Sequence, residues 1–155
     1  VLAKTPDGDY YEGVSSGFDQ QPPEMQRLPR NLELAAALAG APLHQRLRWF
    51  TDDWLRYDEI DGALVVTDLR MGIPGNYTFR FIMARCVEGR WTPVTPAAWP
   101  GAGVGSMGNF EDLQRIFTRI FQQQPALPLA DWMARNRAAA SPGHCAARAR
   151  DRLVQ

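Results

Sequence analysis

Hydrophobic positions are densest in residues 49–86, WFTDDWLRYDEIDGALVVTDLRMGIPGNYTFRFIMARC. Three runs of strand-forming residues are separated there by turn signals: 54–60, 63–71 and 77–86. The dipeptide Asp61-Gly62 favours a two-residue hairpin turn, because both positions tolerate a positive φ. The second break, residues 72–76, is too rich in Gly and Pro to continue a strand ladder. The pattern therefore predicts a three-stranded antiparallel meander.

The alternation of side chains along these strands predicts which face is buried. In the third run the large apolar side chains share one face: Tyr77, Phe79, Phe81 and Met83. Full burial of such a side chain gains roughly 1.5–3 kcal/mol, so this face should lie in the core. We expect Phe79, Phe81 and Leu69 to be buried. We expect them to contact Phe117 and Phe121 of a later helix.

The same alternation places Asp68, Arg70 and Arg80 on a mixed face, where a hairpin makes them cross-strand neighbours. One interpretation is an ion-pair ladder on a solvated face, which has a structural role only. The other is an anion or carboxylate site built on the two arginines, with Asp68 orienting one of them. We expect an intermediate arrangement, in which a partly covered Asp68 holds at least one arginine and the role is structural.

Weaker patterns on both sides of the meander predict the remaining elements. They are a hairpin in residues 2–15, a short helix in 29–40, a helical turn that begins at Pro42, a last short strand in 91–94, and helices in 110–124 and 129–140. The predicted class is α+β, with an antiparallel sheet of about five strands and amphipathic helices packed on one face. We expect one domain over 1–155, with a hairpin, helix and meander core in 1–94, a helical part in 109–140 and a basic tail in 141–155.

Composition limits the function further. The formal net charge is zero, which argues against a dedicated nucleic-acid binder, because such proteins neutralise phosphates with a basic surface. No apolar run reaches the about 18–20 residues that span a bilayer. The chain opens at Val1 within an apparent strand, which predicts that it is a fragment of a longer protein.

Motifs for catalysis or cofactor binding are sparse. Residues 101–108 contain G-x-G-x-x-G, but the preceding Pro-rich stretch does not fit the strand that a dinucleotide site needs, so we interpret them as a linker. His44 and His144 lack metal-ligand spacing, so we predict no stoichiometric metal and no cofactor in this chain. Cys86 and Cys145 make no disulfide framework, and the default interpretation is that each is an inert buried thiol.

Tryptophan is abundant, with five residues in the chain. Most of them should lie in the core, given the area that each buries. Trp99 lies in a Pro/Gly-rich loop, where a core position is less expected. Because binding residues concentrate on loops carried by a rigid sheet, we treat Trp99 as a candidate contact residue.

The residues of the meander also resemble a known family. The pattern is similar to the C-terminal soluble region of the LexA-regulated, membrane-bound metal-dependent hydrolases of bacterial inner membranes. The matching residues are Trp49, Phe50 and Thr51, then Asp68, Leu69, Arg70, Met71 and Gly72, then Tyr77, Phe79, Arg80 and Phe81. The opening LAKTPDGDYYEGVSSGFD extends the resemblance over roughly residues 1–92. It implies a helical membrane domain upstream of Val1, which would contain the metal ligands of the family.

These observations predict a soluble, non-catalytic accessory domain of such a hydrolase at the bacterial inner membrane. Its partner would be the membrane domain of the same polypeptide. The alternative is a small-ligand or protein-binding module that uses the face of Asp68, Arg70 and Arg80, with a small anionic ligand. A hydrolytic enzyme in its own right is a third class. We found no pairing of a nucleophile with a base to support it.

Overall fold

The computed structural model describes residues 1–100, 110–138 and Cys145, and its elements confirm the α+β class. The strands are β1 (Leu2–Lys4), β2 (Tyr10–Glu12), β3 (Gln26–Leu28), β4 (Leu55–Ile60), β5 (Ala63–Asp68), β6 (Gly72–Ile73), β7 (Asn76–Tyr77), β8 (Arg80–Val87) and β9 (Arg90–Ala98). The helices are a 3₁₀ helix (Leu32–Leu38), α1 (Pro42–Thr51), α2 (Phe110–Phe121) and α3 (Leu129–Ala138). The interpretation of 101–108 as a linker and the predicted basic tail, apart from Cys145, fall outside the described residues.

The main sheet is antiparallel, with the strand order β4-β5-β8-β9. Its first three strands are the predicted meander. Asp61 and Gly62 have φ angles of 50° and 71°, as the predicted two-residue turn requires. Between β5 and β8, the expected break contains a small hairpin of its own, β6-β7, in which Gly72 pairs with Tyr77.

The last strand, β9, runs from Arg90 to Ala98, twice the length predicted, and it continues through Pro93 and Pro96. It is the outer strand in the sheet order. A proline at such a position can direct its missing N–H away from the ladder, so the strand continues.

A second sheet is formed by β1, β2 and β3. The predicted N-terminal hairpin is confirmed, with Leu2 opposite Glu12, and β3 adds a third strand that places Leu28 opposite Tyr10. The Tyr10 hydroxyl donates to the Asp53 carbonyl at 2.9 Å, and the Tyr10 ring lies 5.3 Å from that of Trp54. These contacts attach the second sheet beside the start of β4.

The core forms around β5, in which every residue is buried. On one face, Leu64 and Val66 pack in a cluster with Leu38 of the 3₁₀ helix. On the other face, Ala63 and Val65 pack with other buried apolar side chains and Trp99. The strand therefore lies between two covering layers and has no solvated face.

The helices that cover the sheet are not those expected. The 3₁₀ helix and α1 pack on the Leu64 face, whereas Phe117 and Phe121 of α2 are 60% and 71% exposed. The predicted contact with that stripe is therefore wrong, and so is the predicted burial of Phe79, which is 42% exposed. Leu69 is buried as predicted, at 4% exposure, in a cluster with residues of the second sheet. Alternation marked an apolar face correctly but could not identify the element that covers it.

An ion pair attaches α2 to the segment after β2. Arg119 donates to both carboxylate oxygens of Asp19, with Nη2 2.8 Å from Oδ2, and to the Val14 carbonyl at 3.0 Å. Both charged side chains are buried, at 6% and 8% exposure. Ile116 of α2 also packs against a cluster that contains Leu127, Leu129 and Trp132, so both the ion pair and part of the apolar stripe attach this helix.

The predicted helical turn that begins at Pro42 is a full helix, α1, which runs to Thr51, and the first strand of the meander begins at Leu55. His44 lies on the inner side, where Nε2 is 2.9 Å from the Tyr57 hydroxyl and Nδ1 is 3.3 Å from the Leu38 carbonyl. Burial lowers the pKa of His44 and raises the pKa of Tyr57 to about 12, which favours the neutral form of both groups.

Cys86 and Cys145 form a disulfide, with a Cα–Cα distance of 5.7 Å. The interpretation as inert buried thiols is therefore wrong. The two residues are 59 positions apart, and only the fold brings them together. The bond joins β8 to the part of the chain that follows α3.

Leu64 lies in the core beneath the 3₁₀ helix and α1, whereas Phe121 of α2 is exposed, so truncating these two side chains should change the stability by different amounts. Leu64→Ala should lower the free energy of unfolding by about 2–5 kcal/mol, because it leaves a cavity in the core. Phe121→Ala removes a side chain that is 71% exposed and should change the free energy by no more than about 0.5 kcal/mol. Urea unfolding of both variants measures the difference. Losses of equal size would contradict the layer assignment.

The Asp19–Arg119 pair predicts a pH-dependent term in stability. The hydrogen bonds from Arg119 lower the pKa of Asp19 from 3.8 to about 2. A lowered folded-state pKa means that this stabilisation is complete above about pH 4 and is lost as the pH falls towards 2. Melting temperatures from pH 5 to pH 2 should therefore fall more steeply for the native chain than for Asp19→Asn. Parallel curves would show that the pair contributes nothing.

Candidate functional site

Asp68, a predicted site residue, ends β5 with its side chain only 3% exposed. Its Oδ1 accepts hydrogen bonds from the backbone N–H of Arg70 at 3.0 Å and from Arg70 Nε at 3.1 Å, and its Oδ2 accepts from Arg70 Nη2 at 2.9 Å. These bonds raise the pKa of Arg70. The expected arrangement, in which a covered Asp68 holds an arginine, is present for Arg70.

Arg70 connects the end of β5 to the C-terminus of α1. Its Nη1 donates to the Phe50 carbonyl at 2.9 Å, one of the helix-end carbonyls that lack an intrahelical partner. The guanidinium carbon lies 4.9 Å from the centroid of the Phe50 ring, within cation–π range. The buried Asp68 thus fixes the guanidinium, and the guanidinium fixes the helix end.

The start of β8 is attached to the same place by backbone hydrogen bonds. The N–H of Asp68 donates to the Phe79 carbonyl at 2.9 Å, and the N–H of Thr78 donates to the Met71 carbonyl at 3.0 Å. Three segments distant in sequence, 49–51, 68–72 and 77–81, therefore meet at one edge of the domain. We call this the Arg70 edge and define it by Trp49, Phe50, Asp68, Arg70, Met71 and Phe79.

The Arg70 edge exposes four large apolar side chains. Trp49 is 80% exposed, Phe50 62%, Met71 52% and Phe79 42%. A groove of about 390 Å³ continues from Trp49 and Phe50 between α1 and the strands β8 and β9. Large apolar side chains that are exposed together in one region mark an interaction site more often than singly scattered ones do.

Arg80 does not belong to this edge, although the sequence pattern placed it beside Asp68. It lies directly opposite Thr67 in the β5–β8 register. Thr67 and Asp68 are consecutive residues of a strand, so their side chains point to opposite faces, and Arg80 shares the face of Thr67. The predicted grouping of Arg80 with Asp68 and Arg70 is therefore wrong. The small β6-β7 hairpin changes the register that a simple loop would give.

Trp99, the remaining predicted site residue, is half-buried on the same side as Arg80. Its ring packs against the cluster that contains Ile60, Val65 and Ile82, and its backbone N–H donates to the Arg80 carbonyl at 2.8 Å. Trp99 therefore contributes to the core on the face of the main sheet that carries Val65.

The sequence analysis missed the exposed side chains of the Arg70 edge. Helical periodicity over residues 42–51 would have predicted that two of these side chains are exposed. His44, Leu47 and Thr51 follow helical spacing and form the inner side of α1, which leaves Trp49 and Phe50 facing outward. The sequence analysis predicted only a helical turn that begins at Pro42 and did not place these two aromatics on it.

Within residues 1–100 and 110–138, no group of three or more His, Cys, Asp or Glu side chains could hold a metal ion. No helix in these residues has both the length and the apolar character needed to cross a membrane. The expectation that the chain binds no metal stays a prediction.

Comparison with known proteins gives no relative, since the chain matches no family model, no curated protein and no solved structure. The resemblance to the membrane-bound hydrolases therefore rests on the matching residues alone.

The geometry predicts that Asp68 is energetically coupled to Arg70 and not to Arg80. In a double-mutant cycle, Asp68→Asn and Arg70→Gln should be strongly non-additive, because each removes the partner of the other. Asp68→Asn and Arg80→Gln should be additive, because the two side chains lie on opposite faces. Urea unfolding of the single and double variants measures both couplings. A coupling to Arg80 as large as that to Arg70 would contradict the register.

Proposed function

We propose that this chain is a non-catalytic accessory domain of a larger membrane-bound metal-dependent hydrolase, and that the Arg70 edge docks it onto the rest of that polypeptide. One observation carries the proposal. Four exposed apolar side chains from three separate segments lie at one edge, beside the partly exposed Arg70 that the buried Asp68 holds against Phe50.

The contacts that fix Arg70 and Phe50 favour docking, because they reduce the loss of side-chain entropy on binding. Phe50 and the guanidinium of Arg70 are already in contact, and Asp68 fixes Arg70 from within the domain. Side chains that are ordered before binding lose less conformational freedom on association. Aromatic residues, Met and Arg are also the types enriched at the centres of protein interfaces.

The resemblance supports the same partner. The residues that carry it include Trp49, Phe50, Met71 and Phe79, which are the four exposed side chains of the edge. A pattern that contains exposed apolar residues at fixed positions is what a shared docking surface requires. The membrane domain implied by the resemblance is accordingly the partner that we propose.

The simplest test reads the gene upstream of Val1. We expect the same reading frame to encode several apolar helices with embedded His and Asp residues. A start codon immediately before Val1 would remove the proposed partner.

To test the docking, this domain and the rest of the polypeptide are produced as two separate chains, and their co-purification is measured. Trp49→Ser combined with Phe50→Ser should weaken co-purification of this domain with the rest of the polypeptide at least about tenfold, because two central apolar contacts are lost.

The matched control is Phe117→Ser combined with Phe121→Ser, which alters two aromatics of similar exposure on α2. The control should co-purify as the native chain does, and circular dichroism should show that all variants are folded. Equal retention of the two double variants would contradict docking through the Arg70 edge.

A further inference from the structure

A row of three polar residues crosses the main sheet on the face away from α1. Arg56 of β4 lies opposite Thr67 of β5, and Thr67 lies opposite Arg80 of β8. Directly opposed residues of neighbouring strands point to the same side of a sheet. The row therefore places two guanidinium-bearing side chains on either side of one hydroxyl.

All three side chains line a cavity of about 40 Å³. The cavity lies between the main sheet and residues from elsewhere in the chain: Glu12, Leu28, Tyr77 and Met133. One buried water needs about 10–15 Å³ by this kind of measure. The cavity is not fully enclosed. It therefore holds a few waters or the carboxylate group of a small acid, which has three non-hydrogen atoms, while the rest of that acid extends outward.

Two polar groups of this cavity have no partner in the part of the chain that the structure describes. Thr67 is 2% exposed, and its Oγ1 is buried without a hydrogen bond. No described residue forms a hydrogen bond or an ion pair with the Arg80 guanidinium, whose desolvation lowers the pKa of Arg80 below its usual value. Buried polar groups are nearly always paired, so the Thr67 hydroxyl indicates a bound species. The half-buried Arg80 guanidinium lies beside it as a donor that forms no hydrogen bond with the described residues.

The neighbouring charges are already engaged. Arg56 donates to Asp58 Oδ1 through Nε at 3.0 Å and Nη2 at 2.6 Å. Glu12 accepts the hydroxyl of Tyr77. Asp58 attracts Arg80 through its charge, but no described carboxylate forms a hydrogen bond or an ion pair with the Arg80 guanidinium.

We propose that this cavity binds a small monocarboxylate, with its two oxygens held by the Arg80 guanidinium and the Thr67 hydroxyl. The planar fork of arginine matches the geometry of a carboxylate. Glu12 and Asp58 in the wall disfavour a dianion such as phosphate, because like charges repel at short range. The site lies on the opposite face from the Arg70 edge and does not depend on the docking proposal.

The test compares the melting temperature of the chain in sodium acetate with that in sodium chloride at equal ionic strength. At about ten times its dissociation constant, acetate should raise the melting temperature by about 3–5 °C relative to chloride. Acetamide, the neutral analogue, should have no such effect. The carboxylate could belong to a free small acid or to the head group of a larger acid, and hexanoate distinguishes the two. Stabilisation by hexanoate indicates the head group of a larger acid, and an effect of acetate alone indicates a free small acid.

Three variants assign the effect to this cavity. Arg80→Gln should weaken acetate binding at least about tenfold. Thr67→Val should also reduce the response, and it should raise the melting temperature without acetate, because it removes a hydroxyl that is buried unpaired. Arg90→Gln changes an exposed arginine at the start of β9 and should respond as the native chain does.

Several results would overturn the proposal. One is stabilisation by acetate no greater than that by chloride, and another is a native-like response of Arg80→Gln. Stronger stabilisation by phosphate than by acetate would refute the carboxylate class. A lower melting temperature of Thr67→Val without acetate would show that internal water satisfies the hydroxyl. Calorimetric titration of the native chain and of Thr67→Val with acetate gives a decision that does not depend on the folding of Arg80→Gln.

Discussion

Every residue of β5 is buried, so the strand has no solvent-facing side on which a polar group can lie. Its first four residues are apolar and fill the two layers of the core. The last two, Thr67 and Asp68, are polar and point to opposite layers. Because an unpaired buried polar group is costly, the surrounding structure must provide a partner on each side.

Both candidate sites follow from this requirement. On the α1 side, Arg70 neutralises Asp68 and at the same time holds the end of α1, which leaves Trp49 and Phe50 exposed at a fixed edge. On the other side, the hydroxyl of Thr67 meets Arg80 across a small cavity. Two consecutive residues of one strand thus lie beneath a proposed docking surface on one face and a proposed carboxylate site on the other.

The sequence was most informative where local chemistry decides the structure. The Asp61-Gly62 turn, the meander and the helices α2 and α3 were all predicted from turn residues and periodicity. The prediction that Asp68 holds at least one arginine is also confirmed, and that arginine is Arg70. Local signals were sufficient for these features.

The sequence failed where distant segments decide the outcome. The face of Arg80 depends on the register across an inserted hairpin, and periodicity does not determine that register. The buried Asp19–Arg119 pair attaches α2 through residues one hundred positions apart, and Phe121 of this helix is exposed. The Cys86–Cys145 disulfide is likewise a product of the fold.

Hydrogen–deuterium exchange tests the central claim most directly, with the complete polypeptide compared with the isolated 155-residue chain. If the Arg70 edge is a docking surface, the complete polypeptide should show slower exchange in peptides that cover 49–51, 68–72 and 77–81. Peptides from α2 should exchange at the same rate in both samples. Unchanged exchange at the Arg70 edge, or protection confined to α2, would contradict the account.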